Sequence, residues 1–265
     1  MGIRITAPDL LSMKTTQTRI TMVTAYDAAM ARIVDQAGVD MVLVGDSLGM
    51  VIQGQPNTLG VTLRDMAYHG RCVSAGLKRA HLTVDMPFMS YQVSAAQALR
   101  SAGKLVQLGK AQSVKLEGGE RSAAAIRAIV EAGIPVVGHI GLTPQSVHAF
   151  GGFKLQGKDN EARVLADAHA VAEAGAFCIV LEKIPADLAA RITAELQIPT
   201  VGIGAGVGCD GQVLVCNDLL GMDARFKARF VRRYLEGDEV LTEAVRTYVA
   251  DVKAGTFPAE EHTYR

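Results

Sequence analysis

Eight short runs of apolar, largely β-branched residues recur along the chain, and longer segments with helical periodicity lie between them. The runs are continuously apolar, which is typical of parallel strands buried on both faces. Helical segments such as AAMARIVDQAG, SAAAIRAIVEAG and EARVLADAHAVAEAG close on a glycine suited to a helix C-terminus. This pattern predicts a (β/α)8 barrel, with a doubly wound open sheet as the alternative. The runs end at Asp27, Ser47, Pro87, Gly119, Gly141, Ile184, Gly206 and Gly221.

The length of 265 residues is one at which α/β barrels commonly form a single domain. No Pro/Ser-rich linker or low-complexity segment divides the sequence. We therefore predict one barrel domain over residues 1–265, with N-terminal and C-terminal helical extensions. Two amphipathic helices are predicted after the last strand, in DARFKARFVRRYLEG and DEVLTEAVRTYVADVKAG.

Charge and cysteine content restrict the possible partners and the compartment. Lys+Arg and Asp+Glu number 27 each, so a net charge of zero argues against nucleic acid and anionic membranes as partners. The apolar runs are too short to span a bilayer, and the first residues lack the apolar core of a secretory signal. The four cysteines show no C-x-x-C spacing. We therefore expect reduced, structural thiols in a cytoplasmic protein.

Polar residues follow the apolar runs where the predicted strands end. In a barrel these positions meet at the C-terminal face, which is where barrel enzymes carry their chemistry. In chain order they are Asp27, Asp46 and Ser47, Asp85, Lys115 and Glu117, His139, Glu182 and Lys183, and Asn217 and Asp218.

Three of these carboxylates, Asp46, Asp85 and Glu117, lie on successive predicted strands. Brought together they would repel one another unless a cation neutralised them. A few hard oxygen ligands, with room left for substrate oxygens, suit Mg²⁺ better than Zn²⁺. Each carboxylate alone could instead be a strand-end acid bonded to backbone amides. Three on consecutive strands favour the metal site.

Lys115 and Glu117 lie two residues apart on one strand, so their side chains share a face. In the barrel mouth the ammonium could bind a substrate carboxylate or carbonyl oxygen. A salt bridge with Glu117 and Schiff-base chemistry are the alternatives for this lysine.

Glu182 follows the apolar run FCIVL, which makes its carboxylate a candidate general base. The alternatives are a salt bridge with Lys183 or a structural acid. His139 in VVGHIG could be a proton shuttle or substrate donor, or equally a core histidine.

The segment GVGCDG matches the G-x-G-x-x-G pattern of dinucleotide sites. That pattern belongs in a first βαβ unit and opens a long helix, whereas here it comes late and leads into the apolar run QVLVC. A tight barrel loop is the favoured interpretation.

The sequence resembles the ketopantoate hydroxymethyltransferase family of pantothenate biosynthesis from about residue 20 to residue 221, and again in the FPAEEH tail. The segments that carry the resemblance are TAYDAAMARIVDQAGVDMVLVGDSLGM, LTVDMPF, VKLEGG, GHIGLTPQ, GGFKLQGKD, IVLEKIP and PTVGIGAGVGCDGQVLV.

The resemblance implies a barrel of the phosphoenolpyruvate/pyruvate-binding type, assembled as a homodecamer of two pentamers. It implies a one-carbon transferase that uses one Mg²⁺ per subunit, and that takes a hydroxymethyl group from 5,10-methylenetetrahydrofolate to 3-methyl-2-oxobutanoate to give 2-dehydropantoate. The implied roles are metal binding by Asp46, Asp85 and Glu117, keto-acid binding by Asp46, Ser47, Asp85 and Lys115, and proton removal by Glu182.

Two other functions are compatible with the same residues. One is another Mg²⁺-dependent α-keto-acid barrel enzyme, such as an isocitrate-lyase-like C–C lyase. The other is a metabolite-binding barrel without chemistry, against which the intact set of acidic and basic strand-end residues argues.

Overall fold

A computed structural model describes residues 4–264 of the chain. Within this range eight parallel strands pair in chain order and close into a barrel. The first and eighth strands complete the closure, with Ile20 opposite Gly211. A side chain at Gly211 could not be accommodated, because a Cβ there would lie 2.4 Å from the carbonyl oxygen of Ile20. The predicted (β/α)8 barrel is confirmed, and the open sheet is wrong.

The strands and helices of the described residues alternate as the sequence predicts. The strands are β1 (Ile20–Thr24), β2 (Met41–Val44), β3 (His81–Asp85), β4 (Ser113–Glu117), β5 (Val136–Gly141), β6 (Cys178–Glu182), β7 (Thr200–Ile203) and β8 (Gly211–Leu214). The helices are α1 (Ala7–Thr15), α2 (Ala28–Gln36), α3 (Leu48–Val51), α4 (Leu63–Gly76), α5 (Ala95–Gly109), α6 (Ala123–Glu131), α7 (Val147–Phe150), α8 (Glu161–Glu173), α9 (Ala186–Glu195), α10 (Cys216–Leu219) and α11 (Gly237–Ala254). Among the helices described, none is both long and apolar enough to cross a membrane.

Helix ends follow the local chemistry of the sequence. The carboxylate of Asp27 accepts a hydrogen bond from the backbone N–H of Met30 and so begins α2. Gly38, Gly133 and Gly175 lie just beyond α2, α6 and α8 with φ of 86°, 84° and 99°. This is the left-handed conformation that a helix C-terminus favours for glycine. The predicted glycine stops are confirmed.

The chain forms two compact units that divide between Val215 and Cys216. The first unit is the barrel, and the second contains α10 and α11. The predicted helix over DARFKARFVRRYLEG is wrong, because residues 223–236 are irregular. The guanidinium of Arg233 lies within hydrogen-bond distance of three carbonyl oxygens of residues 223–226, which stabilises a turn there. The helix predicted over DEVLTEAVRTYVADVKAG is present as α11. The single barrel domain with helical extensions stays a prediction.

The apolar core fills the N-terminal half of the barrel. Leu10 of α1 is fully buried and packs with inward-facing residues near the start of the strands. These contacts leave the C-terminal half of the barrel to polar side chains. The strand residues in the cluster are Ile20, Met22, Met41, Leu43, Val137, Cys178, Val180, Val201 and Val213.

His81, at the start of β3, is a neutral group within this end of the barrel. Its Nδ1 lies 3.1 Å from the carbonyl oxygen of Ile5, which can only accept, so Nδ1 carries the proton. Its Nε2 then accepts from the hydroxyl of Ser113, 2.9 Å away. Burial, with a smaller effect from the Arg4 charge, lowers the pKa of His81 to about 4, although the Ile5 carbonyl and Asp9 oppose the shift.

We expect His81 to make the protein sensitive to acid. Below about pH 6.5 the unfolded chain binds a proton at this position, whereas the folded protein binds it only near pH 4. Protonation of His81 in the unfolded chain therefore lowers the free energy of unfolding by about 3 kcal/mol as the pH falls from about 6.5 to about 4. Above pH 6.5 this loss is absent. Urea unfolding of wild type and His81→Gln across the window should show a smaller loss in the variant.

His169→Gln is the matched control, because the His169 side chain is 41% exposed and lies on the surface. If the control flattened the pH dependence as much as His81→Gln does, the assignment to His81 would be wrong.

Candidate active site

Six charged side chains meet at the C-terminal ends of β2 to β6. Five of them are no more than 4% exposed, and the side chain of Glu182 is 17% exposed. The strand-end residues predicted to converge on β2 to β6 are thus brought together. They are Asp46, Asp85, Lys115, Glu117, His139 and Glu182.

Lys115 pairs with Asp85 rather than with Glu117. Its Nζ lies 3.1 Å from Asp85 Oδ1 and 3.1 Å from His139 Nδ1. Burial lowers the pKa of Lys115, but the charges of Asp85, Glu117 and Asp46 outweigh that effect and raise it above its ordinary value. The side chain is therefore a protonated ammonium, suited to binding an anionic oxygen and unsuited to attack on a carbonyl.

His139 connects Lys115 and Glu117 to Glu182. Its Nδ1 lies 3.5 Å from Glu117 Oε1, and its Nε2 lies 3.2 Å from Glu182 Oε2. Burial and the Lys115 charge lower the pKa of His139, but Glu117 and Glu182 prevail and raise it to about 9. Lys183, the alternative partner of Glu182, instead donates to the carbonyl oxygen of Phe153 at 2.6 Å.

Each of three carboxylates has one oxygen held by an N–H donor. Asp46 Oδ2 accepts from Gln145 Nε2 at 2.8 Å, and Asp85 Oδ2 accepts from the backbone N–H of Asp46 at 3.0 Å. Glu117 Oε2 accepts from the backbone N–H of Gln145 at 3.0 Å. Among the described residues, Asp85 Oδ1 and Glu117 Oε1 are buried oxygens without a directional hydrogen bond.

This concentration of negative charge is unfavourable. Burial and the charges of Asp85 and Glu117 raise the pKa of Asp46 to about 8. Burial also raises the pKa of Asp85, although Lys115 opposes the shift. A cation near these carboxylates would stabilise their ionised forms.

The carboxylates of the cluster suit a Mg²⁺ ion whose shell is completed by water and substrate oxygens. No group of three or more His, Cys, Asp or Glu side chains within residues 4–264 forms a ready-made metal cage. Mg²⁺ commonly takes one or two carboxylates and completes its shell with water and substrate oxygens. The oxygen Oε1 of Glu117, which has no directional hydrogen bond, and the crowded carboxylates of Asp46 and Asp85 suit that kind of binding. The predicted three-carboxylate site stays a prediction.

Ser47 lies at the edge of the cluster, immediately after Asp46. Its hydroxyl is 2.8 Å from the hydroxyl of Tyr26. Glycine at position 45 leaves room for this hydroxyl, because a Cβ there would lie 2.7 Å from Ser47 Oγ. Ser47 is therefore held where it could donate to a ligand above Asp46.

A cavity of about 200 Å³ opens to one side of the cluster, between the loop after β3 and the first turn after β4. Its wall includes Tyr91, Glu117 and Gln145, whereas Lys115 and Glu182 do not line it. The cavity therefore adjoins the charged cluster and is not its centre.

Several polar residues predicted at strand ends have other places in the structure. Asp27 is exposed and begins α2, and a helix-capping acid cannot be told from a catalytic one by sequence position. Asn217 and Asp218 lie in α10, because β8 ends at Leu214. The segment GVGCDG forms a short loop into β8, so the interpretation as a barrel loop is confirmed.

Gln145 and Tyr91 belong to the site, but the pattern of charged residues at strand ends does not indicate them. Gln145 is 7% exposed and contacts both Asp46 and Glu117. Tyr91 is 4% exposed and bonds to Gln145 Oε1 at 2.7 Å. Neither carries a charge at neutral pH. Tyr91 lies in the irregular segment after β3, and Gln145 lies in the short 3₁₀ turn after β5. The presence of Gln145 in GHIGLTPQ was the available signal.

Comparison with known proteins gives a family for the whole chain. A family model described as ketopantoate hydroxymethyltransferase matches residues 4–260. A 3-methyl-2-oxobutanoate hydroxymethyltransferase from Pelobacter propionicus is 55% identical over 265 residues, which cover 100% of this chain and 98% of the relative. A protein of the same name from Geobacter sulfurreducens is 52% identical over 258 residues, which cover 97% of each chain.

Solved structures with the same fold are more distant. Phosphoenolpyruvate phosphomutase from Streptomyces platensis subsp. rosaceus superposes with a TM-score of 0.65 at 15% identity, over 98% of this chain and 92% of that one. A 2,3-dimethylmalate lyase, a member of the PEP mutase/isocitrate lyase superfamily, gives 0.59 at 16% identity, over 98% and 92%. These likenesses show the fold, an eight-stranded parallel barrel with alternating helices.

The crowding of carboxylates predicts that Asp46→Asn stabilises the cation-free protein. The asparagine Oδ1 can still accept from Gln145 Nε2. Asparagine is neutral without a proton, whereas Asp46 has to bind one on folding at neutral pH because its pKa is raised to about 8. We expect the free energy of unfolding to rise by ~1–2 kcal/mol in chelator-treated protein. Thermal or urea unfolding measures this change.

Asp35→Asn is the matched control with the opposite expected sign. The Asp35 carboxylate accepts from the backbone N–H groups of Lys78, Arg79 and Ala80, and these bonds outweigh burial and lower its pKa. Loss of stability in Asp46→Asn, similar to that in Asp35→Asn, would contradict the electrostatic argument.

Proposed function

The chain belongs to the ketopantoate hydroxymethyltransferase family, and on that premise we propose how its charged cluster carries out the reaction. The protein is a hydroxymethyltransferase that acts on 3-methyl-2-oxobutanoate. We propose 5,10-methylenetetrahydrofolate as the one-carbon donor and Mg²⁺ as the metal. The observation that carries the proposal is the separation, by His139, of the Lys115–Asp85 ion pair from the carboxylate of Glu182.

The difficult step is removal of the C3 proton of the keto acid, because a proton beside a ketone is too weakly acidic for an unaided carboxylate. Mg²⁺ held by Asp46 and Asp85, with Glu117 as a ligand or bonded through water, would withdraw charge from the keto acid's carboxylate and keto oxygens. The residues of the chain then have to bind, orient and deprotonate this substrate.

Lys115 and Ser47 are proposed to bind the keto acid. The ammonium of Lys115 is fixed by the carboxylate of Asp85 at 3.1 Å, so it adds positive charge at a defined position. A charge-assisted hydrogen bond from it would stabilise the negative charge that develops on the keto oxygen. Ser47 would donate its hydroxyl proton to the substrate carboxylate.

Glu182 is proposed as the general base. It is the last residue of β6, on the far side of His139 from the ion pair, and the most accessible carboxylate of the cluster. A substrate held by Lys115 would present C3 towards it. Gly141 allows β5 to approach this residue, since a Cβ there would lie 2.3 Å from the Glu182 carbonyl oxygen.

His139 supports the base. Both of its ring nitrogens lie against protein partners, Lys115 and Glu117 on one side and Glu182 on the other. We therefore assign it a role in orienting Glu182, while direct substrate contact stays a prediction. After proton removal, C3 forms a bond with the methylene carbon of the folate, and water supplies the hydroxyl group on that carbon. Both carbon–nitrogen bonds to the methylene carbon break, the two nitrogens take up the C3 proton and one proton of the water, and tetrahydrofolate leaves.

The protein is further proposed to act in the cytoplasm as a homo-oligomer, a decamer of two pentamers. Cys72, Cys178 and Cys209 are free thiols, which supports a reducing compartment. The second compact unit supports the oligomer, because α11 is exposed along its length and presents an apolar stripe. A helix with such a stripe requires a partner surface, and a second copy of the chain is the proposed one. The stripe consists of Leu241, Val245, Tyr248 and Val252 at 50%, 60%, 56% and 46% exposure.

Glu182→Gln should abolish exchange of the C3 proton with solvent, because glutamine keeps the shape and cannot accept the proton. The loss should be ~10²–10⁴-fold. Deuterium uptake by 3-methyl-2-oxobutanoate in D₂O with Mg²⁺, followed by NMR without folate, isolates this step. Wild-type exchange should also stop when the metal is chelated.

Glu195→Gln, on the surface of α9, is the matched control and should exchange like wild type. Near-normal exchange by Glu182→Gln would assign the base to another group, with His139 next. Loss of keto-acid binding in Glu182→Gln would mean that Glu182 shapes the site instead.

Val245→Lys should dissociate the oligomer, because it places a charge in the middle of the apolar stripe. Light scattering should report a smaller particle than the ten-subunit wild type. Thr247→Lys is the matched control, since residue 247 lies about 200° around the helix from residue 245. A monomeric wild type, or an intact Val245→Lys oligomer, would contradict the proposal.

A further inference from the structure

We propose that Gln145, held by Tyr91, is a positioning residue that aims the carboxylate of Asp46 at the cation. The inference rests on the metal part of the proposed function. Gln145 is buried in the short 3₁₀ turn after β5 and contacts two of the three proposed metal ligands. It reaches Asp46 through its side chain and Glu117 through its main chain.

The orientation of the Gln145 amide is determined by its neighbours. Nε2 lies 2.8 Å from Asp46 Oδ2 and 3.0 Å from the carbonyl oxygen of Met86, and a carbonyl can only accept. The NH₂ group must therefore be on that side, and Oε1 on the other. Oε1 accepts from the hydroxyl of Tyr91 at 2.7 Å and from Gln92 Nε2 at 3.0 Å.

Tyr91 connects this amide to the end of β4. Its hydroxyl accepts from the backbone N–H of Glu117 at 3.1 Å while it donates to Gln145. Burial and the nearby Glu117 charge raise the pKa of Tyr91 well above its ordinary value, so the hydroxyl keeps its proton as a donor. The position of the Gln145 side chain is therefore tied to the strand that carries Glu117.

These hydrogen bonds determine which carboxylate oxygens of Asp46 and Glu117 remain for a cation. Gln145 occupies Asp46 Oδ2 and Glu117 Oε2, which leaves Glu117 Oε1 buried without a directional hydrogen bond. A carboxylate with one oxygen fixed by an amide presents its other oxygen in a defined direction. Such outer contacts to metal ligands orient them and raise metal affinity.

A purely structural role for Gln145 would be to fasten the turn after β5. The two roles can be separated, because the bond to Glu117 comes from the backbone N–H and survives substitution. Gln145→Leu removes the side-chain donor to Asp46 and keeps that backbone bond. The variant therefore tests the orientation of Asp46 specifically.

The experiment measures Mn²⁺ binding by titration calorimetry, without keto acid or folate, in wild type, Gln145→Leu and Tyr91→Phe. We expect Gln145→Leu to weaken Mn²⁺ binding ~10–100-fold. Tyr91→Phe should weaken it less, because Gln145 Oε1 keeps its bond to Gln92.

Gln112→Leu is the matched control. Gln112 also uses both ends of its amide within the barrel, accepting from the backbone N–H of Leu82 and donating to the carbonyl oxygen of Ile5. It lies at the opposite end of the strands, so its loss should lower stability and leave Mn²⁺ affinity unchanged.

Three outcomes would overturn the inference. The first is Mn²⁺ affinity in folded Gln145→Leu within twofold of wild type. The second, which decides the question if that variant does not fold, is unchanged Mn²⁺ affinity in Tyr91→Phe. Either of these results leaves the proposed reaction intact. The third is a wild type that binds no divalent cation, which would reject the metal part of the proposed function together with this inference.

Discussion

The excess of buried negative charge is the constraint on which the site depends. Four carboxylates share the C-terminal end of the barrel with two cationic side chains, Lys115 and His139. Because burial penalises each charge, such a cluster is stable only when rigid surroundings hold it together. The apolar core around Leu10 and the closed ring of strands provide that rigidity. The same imbalance gives the cluster its affinity for a cation and for a substrate that arrives with one.

The parallel register determines which residues can meet. Asp85 of β3 pairs with Lys115 of β4, and Glu117 of β4 pairs with His139 of β5. Since residues two apart on a strand share a face, the inward side of β4 has Ser113 at its start and Glu117 at its end. A single strand therefore contributes a neutral hydrogen bond to the core and a charge to the site. A shift of register by one residue would turn both outward.

Most of the fold and the charged part of the site could be predicted, because buried parallel strands and strand-end charges leave a direct pattern in the sequence. The irregular segment at 223–236 could not, since Arg233 stabilises it through contacts with backbone carbonyls that leave no periodic signal. Asp27 was misplaced because a helix-capping acid and a catalytic acid follow a strand in the same manner. Gln145 was missed because an uncharged amide in a turn has no pattern that distinguishes it from a surface residue.

The precision of the site comes mainly from the path of the backbone. Of the N–H donors described on Asp46, Asp85 and Glu117, two belong to the main chain, at Asp46 and at Gln145. No side-chain substitution removes them, so the turns after β2 and β5 determine where Asp85 and Glu117 point. In the turn after β2, glycine at position 45 also leaves room for the hydroxyl of Ser47. The donor to Asp46 is a side chain, so the orientation of this ligand is the one that a substitution can alter while the fold stays the same.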